Sequence, residues 1–96
     1  MDILLTYDVE TTTPEGARRL RQVAAACENY GQRVQKSVFE CRLTLTEFEA
    51  MEASLLDIID LDKDSLRVYF LYGPRDKAVR VYGVDLYRDF DEPLIT

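Results

Sequence analysis

The 96-residue chain contains no histidine. Acid–base or metal chemistry must therefore draw on carboxylates, Tyr, Lys, Arg, Ser and Thr hydroxyls or the two Cys. No apolar run approaches the roughly 20 residues of a membrane span. Asp2 follows Met1 directly, so the basic start of a signal peptide is missing. No membrane association is expected, and the expected compartment is cytoplasmic. With only four glycines and no phosphate-cradling loop, the chain does not read as a small-molecule-sensing module. Cys27 and Cys41 lie on different elements with no metal-ligand spacing near them. Each takes an apolar position in its element's pattern, as a reduced core thiol does. A disulfide is not expected without a secretion signal.

What is present is enough for one folded domain, residues 1–96, with a core over 1–86 and a tail over 87–96. Apolar residues make up 47% of the chain and charged residues 31%, the balance of a globular protein rather than a disordered one. A domain this small buries a limited core, and pairing with a second copy is a common remedy. The net charge of −6 looks wrong for a nucleic-acid binder, but it is unevenly spread. Residues 15–42 hold six Arg and Lys against three acids, whereas residues 46–66 hold seven acids against Lys63 alone. One face could therefore be positive while another, acidic one is either solvated or meets a partner.

The order of elements follows from hydrophobic period and punctuation. Ile3–Val9 is an apolar strand. Thr13-Pro14 reads as the N-cap and first residue of a helix. Its stripe is Leu20, Val23, Ala24 and Cys27, and Gly31 stands at its C′ position. Two short extended segments, 33–36 and 38–43, read as a tight antiparallel pair, with Phe39, Cys41 and Leu43 on one face. Thr46-Glu47-Phe48-Glu49 reads as a capping box opening a second helix, with Phe48, Met51, Leu55, Ile58 and Ile59 at helical spacing. A polar turn over 60–65, a strand over 66–72, a break at Gly73-Pro74-Arg75-Asp76 and a strand over 78–86 complete the chain. The result is an α+β, ferredoxin-like βαββαβ order with an additional C-terminal strand. Both helices should cover one sheet face. The other needs cover that Leu4, Tyr69 and Leu71 could supply.

Asp8, at the end of the first strand, is the residue through which chemistry is most readily read, because a buried strand that delivers one acid at its end is a rigid mount for a metal ligand. The segment Gly31–Glu40 supplies Arg33 and Lys36 as phosphate contacts, which would be sequence-tolerant and salt-sensitive. Phe39 could stack on a base for about 1–3 kcal/mol, or pack in the core with Cys41 and Leu43. The arginines of the first helix could make a second phosphate contact or simply face solvent. Glu10 could assist Asp8 through water, or be a solvated loop residue.

Tyr7-Asp8-Val9, Gly31-Gln32-Arg33-Val34-Gln35, Ser37-Val38-Phe39-Glu40 and Leu66-Arg67-Val68-Tyr69, in this order and in so short a chain, resemble the CRISPR-associated Cas2 family. The tail Asp91-Glu92-Pro93-Leu94-Ile95 is similar to tails of the type I-C variety. The resemblance implies a homodimer with its sheets facing each other, and CRISPR adaptation (spacer acquisition) together with the Cas1 integrase. It implies Mg-dependent endonuclease activity on RNA or double-stranded DNA, or alternatively a non-catalytic DNA-binding scaffold bridging integrase dimers. By position Asp8 matches the family's catalytic and metal-binding aspartate, Arg33 and Phe39 match its basic and aromatic positions, and Arg18 and Arg19 follow them. One carboxylate is thin ligation for Mg²⁺, which takes oxygen ligands in octahedral geometry. An isologous dimer would supply a second Asp8 across its axis.

Overall fold

The structure, a computed structural model, describes residues 1–72 and 75–86. The elements are β1 (Asp2–Asp8), α1 (Pro14–Glu28), β2 (Gln32–Gln35), β3 (Val38–Arg42), α2 (Leu45–Ile58), β4 (Ser65–Phe70), the single turn α3 (Arg75–Ala78) and β5 (Val79–Gly83). They form one five-stranded sheet in the order β2-β3-β1-β4-β5, antiparallel at every pairing. This is the ferredoxin-like order expected, with the additional strand joined to β4. Of the expected break over 73–76, residues 73 and 74 lie outside the described residues, and Arg75-Asp76 instead open α3. The tail from residue 87 also lies outside the described residues.

Alternation builds the two faces. Ile3, Leu5 and Tyr7 of β1, Phe39 and Cys41 of β3, and Leu66, Val68 and Phe70 of β4 all turn to one side. There they meet Val23 and Cys27 of α1 and Phe48, Met51 and Leu55 of α2 in a single core. Among the described residues, no helix covers the opposite face. Leu4 and Thr6 of β1, Val38 of β3, and Arg67 and Tyr69 of β4 stand there half-buried. No described helix is long and apolar enough to cross a membrane.

Thr13 caps α1 as expected, its hydroxyl accepting from the Gly16 amide at 3.1 Å. The cap of α2 is Thr44 rather than Thr46: Thr44 accepts from the Glu47 amide, and Glu47 accepts from the Thr44 amide at 2.9 Å. Both threonines precede a Glu by three residues. The Thr44 frame also puts Leu43 and Phe48, both buried, at the two positions of a hydrophobic staple. The Thr46 frame offers Leu45, which is exposed. Gly31 does not close α1 with a left-handed turn, since the cap is Asn29 and Gly31 has no positive φ. Its reason is proximity: a Cβ there would stand 2.3 Å from Cys41 Sγ and 2.6 Å from the Glu40 carbonyl oxygen.

Gly83, at the end of β5, does have a positive φ of 89°, and a Cβ there would lie 2.0 Å from the Asp64 carbonyl oxygen. That same oxygen accepts from the Val84 amide at 3.0 Å. Gly83→Ala should therefore lower stability by more than about 1 kcal/mol, through both backbone strain and steric conflict. Urea unfolding checks this: the midpoint should fall while the slope stays unchanged.

Candidate functional site

Asp8 ends the central strand of the sheet. On one side it pairs in register with Ser65 of β4. On the other, the Tyr7 amide donates to the Ser37 carbonyl at 3.1 Å and the Tyr7 hydroxyl to the Lys36 carbonyl at 3.2 Å. The backbone below the carboxylate is thus held by two neighbouring strands, while the side chain is exposed. Thr6 pairs with Arg67 one step back along β1. Because Thr6, Asp8, Ser65 and Arg67 share the helix-free face, they surround a common cavity of about 250 Å³, to which Lys63 adds a second cation. Val84 and Leu86, beyond β5, form its apolar wall.

Behind this cavity sits a buried acid, in a stretch whose sequence reads as a polar turn. Asp64 has no exposed surface, and its two carboxylate oxygens accept four hydrogen bonds. The Glu10 amide reaches Oδ1 at 3.0 Å and the Asp60 amide reaches Oδ2 at 2.9 Å. Arg19 adds Nε to Oδ2 at 2.7 Å and Nη2 to Oδ1 at 3.3 Å, the bidentate fork that suits a carboxylate. Burial alone would push the Asp64 carboxyl upward. The Arg19 guanidinium and the Asp60 and Glu10 amides outweigh it and hold the group below the ordinary carboxylate range. The clamp joins the loop after β1, helix α1 and the turn before β4, two residues from Asp8 on one side and one from Ser65 on the other. An acid in a turn carries no periodic signal, so its only hint was a basic residue at a half-buried position of α1.

The nucleic-acid contacts expected from the sequence do not gather into one patch around Asp8. Arg19 is committed to Asp64, its side chain only 15% exposed, so it is part of the frame rather than a free phosphate contact. Phe39 is wholly buried, its ring 6.2 Å from that of Tyr7, so no face is free to stack on a base; it packs in the core with Cys41. Arg33 lies over the Phe39 ring at 5.3 Å and pairs with Glu28 at 3.3 Å, on the helix-bearing side of the sheet. Arg18 is exposed on α1. Lys36, exposed in the β2–β3 turn, is fastened through its carbonyl to Tyr7 and so stays at the Asp8 end of the sheet. The cations that line the cavity are instead Lys63 and Arg67. Both were legible only as members of a turn and a strand.

Cys27 and Cys41 are buried free thiols, and burial pushes Cys27 up to about 12, which keeps it protonated and inert. No group of three or more Cys, Asp or Glu able to hold a metal exists among the described residues. The cavity nonetheless offers a carboxylate and two hydroxyls, hard oxygen donors of the kind Mg²⁺ takes. These donors suit such an ion in kind, and one chain supplies a single carboxylate among them.

The frame is a ferredoxin-like α+β domain with a mixed acidic and basic cavity at the open end of its central strand. Residues 1–79 match the family described as CRISPR associated protein Cas2, and the chain belongs to that family. It is 53% identical over 95 residues to the CRISPR-associated endoribonuclease Cas2 1 of Moorella thermoacetica, covering 99% of each chain. It is 46% identical over 95 residues to the CRISPR-associated endonuclease Cas2 of Halalkalibacterium halodurans, again covering 99% of each. The crystal structure of Streptococcus pyogenes Cas2 at pH 6.5 superposes with a TM-score of 0.70 at 54% identity, covering 75% of this chain and 87% of that one.

Asp64→Asn removes the buried charge and should cost about 3 kcal/mol near neutral pH. The folded-state carboxyl titrates below the unfolded one, so the charged clamp stabilises fully above the unfolded value of about 4 and is lost as pH falls through the lower, folded value. Urea midpoints of the wild type and the variant should be well separated at neutral pH and converge in acid.

Proposed function

We propose that the chain is a metal-dependent endonuclease of CRISPR adaptation, hydrolysing phosphodiesters of RNA or duplex DNA as a homodimer alongside the Cas1 integrase. The observation that carries this reading is the exposed Asp8 carboxylate, held on the central strand and facing a cavity with two cations. The names of the Moorella and Halalkalibacterium relatives support the nuclease class. The reading extends to the type I-C variety on the composition of residues 91–95 alone, and to the cytoplasm as its compartment.

In this mechanism Asp8 and the Asp8 of a second copy would together hold Mg²⁺. Bound there, the ion would supply an activated water and offset charge on the phosphate. Leu4, Val38 and Tyr69, half-buried on the helix-free face, are the residues the second copy would cover, with the cavity at the Asp8 end left open to substrate. Lys36 and Arg18, exposed and free of ion pairs among the described residues, would hold the flanking phosphates without regard to sequence. The chain has no histidine to accept a proton from the attacking water, so the rate should climb toward alkaline pH.

A second reading, a non-catalytic scaffold bridging integrase dimers, is favoured by the outer surface of α2. Glu47, Glu49 and Asp57 are exposed there and Leu45 is 61% exposed, a surface suited to a protein partner and not to a phosphate chain.

Asp8→Asn should reduce Mg²⁺-dependent cleavage of RNA and duplex DNA at least about a hundredfold while leaving the melting temperature unchanged. Cleavage that survives would remove Asp8 from the mechanism. Spacer integration with the cognate integrase, measured for the same variant, separates the two readings: intact integration without cleavage supports the scaffold.

A further inference from the structure

The cavity beside Asp8 contains more than a place for a cation. We propose that Lys63 and Arg67, with the Ser65 hydroxyl between them, form a seat for a single phosphodiester group next to Asp8. The proposal rests on the nucleic-acid reading above and adds the residues that would grip the phosphate.

Three observations converge on it. First, the register of β1 and β4 sets Asp8 opposite Ser65 and Thr6 opposite Arg67. Side chains directly opposite on one sheet face have Cβ atoms about 5 Å apart. A group held near Asp8 is therefore within reach of both β4 side chains, and Lys63, two residues before Ser65, lines the same cavity.

Second, Arg67 is braced before any ligand arrives. Its side chain is only 19% exposed, Nη1 donates to the Tyr69 hydroxyl at 3.1 Å, and Nη2 donates to Asp85. A guanidinium has five N–H donors. These two bonds leave others unspent in a side chain whose position is already fixed, and a braced Arg loses little freedom on binding an anion.

Third, one cation of the cavity makes no ion pair. Asp85 answers Arg67, while Lys63 has no ion pair among the described residues. Once Asp8 is neutralised by a cation, the cavity carries an uncompensated positive charge, which one phosphodiester anion would balance. The arginines of α1 do not serve here: Arg19 is bound to Asp64, and Arg18 and Arg21 are exposed on the helix without lining the cavity.

The test measures binding separately from cleavage. In an Asp8→Asn background, fluorescence anisotropy follows a labelled duplex DNA and a labelled single-stranded RNA across a salt series. Lys63→Gln and Arg67→Gln are each added to that background. Arg42→Gln, at the far end of the same face and exposed in a pair with Asp2, serves as a charge control. Each cavity substitution should weaken binding about tenfold at low salt and reduce the slope of log affinity against log salt by about 1, with the control moving neither. Parent-like affinity and slope in both cavity variants, or an equal loss in the Arg42 control, overturns the seat. Should Arg67→Gln fail to fold by thermal melting, the exposed Lys63→Gln decides alone. A parent that binds neither probe refutes the seat together with the nucleic-acid reading. Cleavage that survives Asp8→Asn refutes only the role of Asp8, because the seat is judged by binding.

Discussion

A carboxylate sealed from water and gripped by four donors is the constraint around which this small domain is organised. Asp64 draws together the loop that follows β1, the first half of α1 and the turn between α2 and β4, the last of them 45 residues on from Arg19. Its carbonyl reaches a fourth, the residue after β5. Such a group is costly to bury and worth keeping only when every lone pair is answered, as here. The clamp accounts for the low exposure of Arg19 and the fixed approach of the Glu10 loop. It also spends a basic residue that a charge count would credit to the surface.

The sheet divides its labour by parity. Odd positions of β1 enter the core with the two helices, and even positions, ending at Asp8, stand on the open face. The same alternation turns Leu66, Val68 and Phe70 inward while Ser65, Arg67 and Tyr69 join Asp8 outside. A one-residue slip between β1 and β4 would exchange the two sets and bury the charges, so the hydrophobic pattern that specifies the core also specifies the site.

Much of this was legible beforehand. The apolar alternation of β1 and β3, the Thr13 cap, the stripe of α1 and the order of elements all follow from local rules, and so does Asp8 at the end of its strand. Phe39 was ambiguous because an aromatic on a strand beside basic residues looks the same in sequence whether it faces the core or a base. The cap of α2 was misplaced because two overlapping threonine–glutamate pairs satisfy one motif, and burial of Leu43 decides between them. The roles of Asp64 and Lys63 are illegible for a different reason: they stand in a run of acids and polar turn residues, where nothing periodic marks one acid as buried or one lysine as lining a cavity. Register, not composition, brings Arg67 to Asp8.

The two sides of the cavity differ in how they are supported. Asp8 belongs to a strand bonded on both flanks. Val84 and Leu86 follow a strand whose one described partner is β4, and Leu86 is 82% exposed. The arrangement is that of an anvil and an adjustable jaw. Relatives could widen or narrow what the cleft admits by changing the residues past β5, and leave the carboxylate where the core has fixed it.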